Sequence, residues 1–122
     1  MFIGHGSPML IPDGAPGRAF LEQLGRDMEQ PTAILSVSAH WETNTPMVST
    51  ATAPETIYDF SGFPDEFYAI TYPAPGAPDM ARKTAELLTQ AGLDCGTDDA
   101  QGLDHGSWVP LRLMVPDADV PV

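Results

Sequence analysis

Basic side chains are scarce in this sequence. Five lysines and arginines face seventeen aspartates and glutamates, for a formal charge of −12 over 122 residues. Holding nucleic-acid phosphates or an anionic lipid surface takes clustered cations, so neither partner is expected. Cysteine is nearly absent: Cys95 stands alone. No disulfide can form within the chain, and a cytoplasmic, reducing setting is the expected one. No apolar run approaches the roughly 18 residues of a membrane-spanning helix. The opening Met1-Phe-Ile-Gly-His has no basic stretch leading into an apolar core, so no secretory leader is read there. Several catalytic signatures are missing too. There is no GxGxxG after a strand, no glycine-rich loop ending in Lys-Ser/Thr, no HExxH and no GxSxG elbow.

What is present points to a folded α/β protein. Hydrophobic residues make up 43%, too many for a disordered acidic tail. The 13 prolines and 11 glycines favour long, punctuated loops between ordered elements. Residues 33–39 (Ala-Ile-Leu-Ser-Val-Ser-Ala) form a compact apolar run that reads as a buried strand. Before it, Phe20, Leu21, Leu24 and Met28 make an apolar stripe on a helix over about 16–30. Pro16 suits its first turn, while Gly25 weakens it by about 1 kcal/mol. Met1–Ile3 reads as the tail of a preceding strand, completing a βαβ unit. A second helix spans about 78–91, opened by Pro78 and closed by Gly92, with Met80, Thr84, Leu87, Leu88 and Ala91 as its buried stripe. Asp79 and Lys83 are spaced to pair on its solvated face.

The stretch between, about 41–77, is rich in loops and aromatics (Tyr58, Phe60, Phe63, Phe67, Tyr68, Tyr72), with short strands expected at Met47–Ser49 and Phe67–Thr71. Packing is its favoured role, a binding loop the other. A weak strand at about 93–97 leads to a last helix at about 108–114, capped by Ser107 with Pro110 in its first turn. Val120-Pro-Val122 begins another apolar run. The chain therefore reads as opening within one strand and closing as another begins: a mostly parallel or mixed central sheet flanked by helices, incomplete, a portion of a larger single domain.

The three histidines fall at informative places. His5 follows the first expected strand and His40 the second. Parallel strands of a βαβ unit share a carboxyl edge, where open α/β sheets place their ligands. His105 follows the strand at 93–97 and approaches a helix N-terminus, whose positive end opposes an imidazolium. Each alone could be a loop hydrogen-bonder. Together at one edge they form a candidate site. Two imidazoles suit Zn, Fe, Cu or Ni but are too few ligands by themselves. Glu42, Glu55, Asp59 and Asp104 are in-chain candidates for a carboxylate, and otherwise the ligand lies beyond residue 122.

Five segments then carry a resemblance: His5-Gly-Ser-Pro-Met-Leu, Ala33-Ile-Leu-Ser-Val-Ser-Ala-His-Trp-Glu-Thr43, Pro54-Glu-Thr-Ile-Tyr-Asp-Phe-Ser-Gly-Phe-Pro64, Tyr72-Pro-Ala-Pro-Gly76 and Gly102-Leu-Asp-His-Gly-Ser-Trp-Val-Pro-Leu-Arg112. In order and spacing the sequence resembles the class III (LigB-type) extradiol ring-cleavage dioxygenases, in particular their 4,5-DOPA dioxygenase extradiol branch. The resemblance implies an α/β fold around a central sheet. It makes His5 and His40 metal ligands and His105 a catalytic histidine near the substrate. Non-haem Fe(II) is the implied cofactor, with Zn(II) the other candidate, and a small-molecule catechol and O₂ are the implied reactants. It also implies that residues 1–122 are the N-terminal portion of one catalytic domain, with the remaining ligand and a further active-site histidine outside them. Glu42 belongs to the matching His-Trp-Glu-Thr segment without being a ligand. A non-catalytic metal- or ligand-binding protein on the same scaffold, and a zinc-dependent hydrolase, are the alternatives.

Overall fold

The computed structural model describes residues 1–12 and 14–122. It contains three helices, α1 (Pro16–Asp27), α2 (Pro78–Gln90) and α3 (His105–Met114), and two short strands, β1 (Met47–Ser49) and β2 (Gly96–Asp98). Single 3₁₀ turns occupy Pro8–Leu10 and Asp65–Ala69. The α/β class is as expected, but the sheet among the described residues is small. β1 and β2 pair in parallel with Met47 opposite Gly96, Val48 opposite Thr97 and Ser49 opposite Asp98. A parallel bridge between Thr56 and Leu103 extends the alignment beyond them. A βαβ unit therefore does form, but at 47–98 with α2 as its crossover, not at 1–39.

The expected buried strand at 33–39 is not one. A strand exists by virtue of a neighbour that takes its backbone groups, and here Ile34 N–H donates to Pro121 O at 2.8 Å without a ladder following. The segment keeps the alternation of extended chain all the same. Ser36 shares a 2.9 Å hydrogen bond with Ser107, and Ser38 donates to Asp104 at 2.6 Å. Leu35 and Val37 turn the other way and are 58% and 91% exposed. Met1–Ile3 likewise forms no strand, and Phe2 is exposed. Phe67–Thr71 is also not a strand: its first residues close the 3₁₀ turn, which buries Phe67. The weak strand read at 93–97 shortens and shifts to β2.

Helix α2 stands close to expectation at its ends, α1 stops about three residues sooner, and both depart from expectation on their faces. In α1, Leu21 is buried and Leu24 half-buried, whereas Phe20 and Met28 face outward. In α2 the buried residues are the small Ala81 and Ala85, because the helix packs directly on β1; Leu87 of the expected stripe is exposed. The ion pairs along α2 are Asp79–Arg82 and Lys83–Glu86, each three residues apart, rather than Asp79–Lys83.

The core gathers around α3. Trp108 and Val109 are fully buried with Tyr72, Ala74, Leu103, Leu111 and Ala118. Leu113 and Met114 at the far end pack against Leu21 of α1. The α1–α3 contact is close enough that a Cβ on Gly25 would sit 2.0 Å from the Met114 carbonyl oxygen. The aromatic-rich excursion is mostly packing. Trp108 Nε1–H donates to Ile57 O, Tyr58 O–H to Ile70 O and Tyr72 O–H to Val115 O, at 2.8–3.0 Å. Burial pushes the Tyr72 phenol up to about 12. No helix among the described residues is long and apolar enough to cross a membrane.

Candidate metal centre

The centre is assembled where α3 begins. Asp104, not Ser107, is the N-cap, so the helix starts three residues earlier than the sequence suggested. Its Oδ1 accepts from the backbone N–H of Ser107 at 3.2 Å, meeting a donor that the first helical turn leaves without a partner. The Asp104 carboxylate takes the place expected of Ser107, and it serves a second donor as well. The same Oδ1 accepts from Ser38 Oγ at 2.6 Å, and Ser38 Oγ in turn accepts from His40 N–H at 3.2 Å. The cap of α3 thus fixes the turn that carries His40. With the earlier start, Pro110 falls inside the helix, where it has no N–H to give the Gly106 carbonyl.

His105 is the first residue of α3. The Thr56–Leu103 bridge holds the two chains parallel, so that Asp59 and His105 emerge together at their carboxyl ends. Asp59 Oδ1 accepts from the backbone N–H of His105 at 2.9 Å and lies 2.8 Å from its Nδ1. Its Oδ2 is 3.6 Å from Nδ1 of His40. Burial works against the charge on Asp59, but the backbone and side-chain hydrogen bonds of His105 outweigh it and hold the carboxyl below its ordinary range.

All three histidines converge. Nε2 of His5 and Nε2 of His40 are 2.9 Å apart. The ring centroids lie 4.7 Å (His5–His40), 5.2 Å (His5–His105) and 4.1 Å (His40–His105) from one another. Burial, and then the charges that His40 and His105 would carry, hold the His5 imidazole below its ordinary value against the opposite pull of Asp104 and Asp59. Phe60 meets His105 edge to face at 5.7 Å. The structure brings the three side chains together, although the expected βαβ topology is not what achieves it.

One ligand atom from each of His5, His40 and His105 lies within 4.8 Å of the others, so the three are placed to hold a metal ion. The separation of the two Nε2 atoms tests the fit. Nitrogens bound at about 2.1 Å to a common ion would be about 3.0 Å apart at a right angle and about 3.4 Å apart at the tetrahedral angle. The observed 2.9 Å, a hydrogen-bond distance between the two rings, is close enough to these values for one ion to take both nitrogens. None of Glu42, Glu55, Asp59 or Asp104 joins this group. Glu42 and Glu55 are exposed, and Asp59 and Asp104 are engaged as hydrogen-bond acceptors. The parts played by Ser38 and Asp59 were not legible in sequence, because both depend on partners 66 and 46 residues away. Two clefts of about 1020 Å³ and 420 Å³ are both lined by Ile34–Val37, and no histidine lines either.

A metal-capable histidine cluster on an α/β scaffold agrees with the relatives of the chain. Residues 1–122 match the family described as the catalytic LigB subunit of aromatic ring-opening dioxygenase. The chain belongs to this LigB family. A protein named 4,5-DOPA dioxygenase extradiol from Beta vulgaris is 48% identical over 99% of the chain and 47% of its own length. One of the same name from Escherichia coli K12 is 44% identical over 100% of the chain and 45% of its own length. A crystal structure of the uncharacterized protein JW3007 from Escherichia coli K12 superposes with a TM-score of 0.68 at 37% identity, covering 91% of this chain and 40% of that one. The chain spans about half the length of the curated relatives it matches.

Proposed function

We propose that this chain forms part of the catalytic domain of an extradiol dioxygenase, with His5 and His40 holding non-haem Fe(II) and His105 handling the proton of a catechol substrate. The observation that carries the reading is the convergence of the three imidazoles, one ligand nitrogen from each lying within 4.8 Å of the others, a donor type that suits non-haem iron as well as zinc. Bound Fe(II) would supply open positions for the catechol oxygens and O₂ and would lower the catechol's pKa.

The remaining work falls to the chain. His5, held below its ordinary pKa by burial and by its histidine neighbours, keeps a lone pair available for a ligand bond. His105 hydrogen-bonds through Nδ1 to Asp59, leaving Nε2 to accept the proton that the catechol hydroxyl releases. The ring of Phe60 against His105, continued by Phe63 at 5.1 Å from Phe60, offers an apolar wall for an aromatic substrate. Ring opening beside the diol, with both atoms of O₂ inserted, gives a muconate semialdehyde.

Anaerobic titration with Fe(II) tests the ligand assignment. Binding is expected to be saturable in the wild type and lost in both His5→Ala and His40→Ala, and undiminished iron in either variant removes the basis of the reading. Adding air and a catechol such as DOPA then separates the functions. Oxygen uptake with a yellow product supports the dioxygenase, ligand binding without uptake a binding protein, and turnover indifferent to O₂ a zinc hydrolase.

A further inference from the structure

A single carboxylate faces two of the three imidazoles. Asp59 Oδ1 takes the backbone N–H of His105 and contacts its Nδ1 at 2.8 Å, while Oδ2 stands 3.6 Å from Nδ1 of His40. An ionised carboxylate can only accept. The proton in the His105 contact must therefore sit on Nδ1, and the nearby negative charge favours the same arrangement in His40. His40 turns its Nε2 to His5, and Nε2 of His105 makes no hydrogen bond among the described residues. The side-chain exposure of 24% for Asp59 and 10% for His105 shields the contact from water that would otherwise compete for it.

We propose that Asp59 is a positioning residue that sets the tautomer of His105 and His40 together, fixing both with the proton on Nδ1, so that the Nε2 lone pair of His105 is free and that of His40 faces His5. Its two roles are divided between its oxygens. Through Oδ1 it holds the His105 ring by both backbone and side chain, so the ring cannot swing without breaking a hydrogen bond to the helix start. Oδ2, at 3.6 Å from His40 Nδ1 and so beyond hydrogen-bond length, acts on His40 through its charge, which favours the proton on the facing nitrogen. Asp59 is therefore not itself a metal ligand, although a carboxylate three residues beyond the Thr56 bridge is a natural candidate for one. Phe60, the next residue, closes the other side of the His105 ring at an interplanar angle of 86°.

The inference rests on the reading of His40 as a ligand and His105 as a proton acceptor, but its test needs neither iron nor substrate. Long-range ¹H–¹⁵N spectra of the metal-free protein, recorded at about pH 8.5 where ordinary imidazoles are neutral, report which nitrogen of each histidine carries the proton. The wild type is expected to show His105 and His40 as Nδ1–H tautomers. In Asp59→Ala both should move toward the Nε2–H form that a free imidazole prefers. Asp59→Asn, which keeps an acceptor oxygen, should restore Nδ1–H in His105. Zinc or Fe(II) affinity should fall about 10- to 100-fold in the alanine variant. An Nε2–H His105 in the wild type overturns the proposal even if Asp59→Ala fails to fold, and so does an unchanged tautomer in a folded Asp59→Ala. Loss of ring-opening activity with the tautomers as stated would instead count against the dioxygenase reading alone.

Discussion

Replacing Gly25 by alanine sets two physical arguments against each other with opposite signs. Helix propensity alone favours the change by about 1 kcal/mol in the interior of α1. The structure opposes it. The added Cβ would lie 2.0 Å from the Met114 carbonyl oxygen and 2.7 Å from its carbonyl and α carbons. Ordinary contact begins near 3.4 Å, so the helices must part by more than an ångström. The obstacle is backbone and cannot rotate away. Overpacking typically costs about 1–3 kcal/mol, and separation also loosens Leu21 against Leu113 and Met114, which places this case at the upper end. The net expectation is a loss of about 2 kcal/mol, or a Tm lower by about 8 °C for a domain of this size. Gly17→Ala is the control. It lies in the same helix, where its Cβ would meet only the Leu10 Cδ1 atom at 2.9 Å, the movable end of a side chain. Urea and thermal unfolding followed by circular dichroism should find Gly17→Ala within about 0.5 kcal/mol of wild type. A Gly25→Ala variant as stable as wild type, or more so, would refute the close approach of α1 and α3.

Two further outcomes follow from particular contacts. A Cβ on Gly106 would stand 2.6 Å from Ser38 Oγ and 2.8 Å from Cδ2 of His40. Gly106→Ala should therefore displace the His40 turn and weaken metal binding tenfold or more, within the range for disturbed ligand support, while leaving most of the melting temperature intact; calorimetric titration with zinc measures it. Burial holds the Tyr72 phenol up at about 12 in the folded chain, against about 10 for an exposed tyrosine. Its contribution is fully present below pH 10 and lost as pH rises toward 12, amounting to about 1.4 kcal/mol of lost stability by pH 11. Urea midpoints at pH 8 and 11 should show this loss in the wild type and a correspondingly smaller one in Tyr72→Phe.

The residues of the centre were more legible than the architecture that positions them. Histidines after short apolar runs announced a shared site, and the three rings do converge, but not at an edge formed by the strands expected before His5 and His40. The route to it was misread because apolar, β-branched runs such as 33–39 state that a segment is extended without stating what pairs with it. Pairing was decided instead by Met47–Ser49 and Gly96–Asp98, of which the second contains a glycine and two polar residues and has little strand character of its own. The face of α2 was misassigned for a related reason. Its distance from β1 favours Ala81 and Ala85 over the larger Leu87, and periodicity ranks residues by hydrophobicity, not by the gap they must fill. Gly25 reads as a local weakness until the opposing carbonyl is seen. Asp59 reads as one of four interchangeable carboxylates until its two oxygens are placed.

Asp104 joins the centre to the core in a way that affects how the protein fails. One oxygen atom closes the first turn of α3 and, through Ser38, anchors the turn of His40. The same helix carries Trp108 and Val109 into the interior. Helix ends fray before helices melt. Unwinding of a single turn would carry off His105 and release His40 together, leaving His5 as a lone donor. Metal retention on warming should therefore vanish as one event, ahead of the main loss of helical signal, so a bound ion acts as a thermometer for the first turn of α3. Changes deep in the core around Trp108 should register there first, at a site they do not touch.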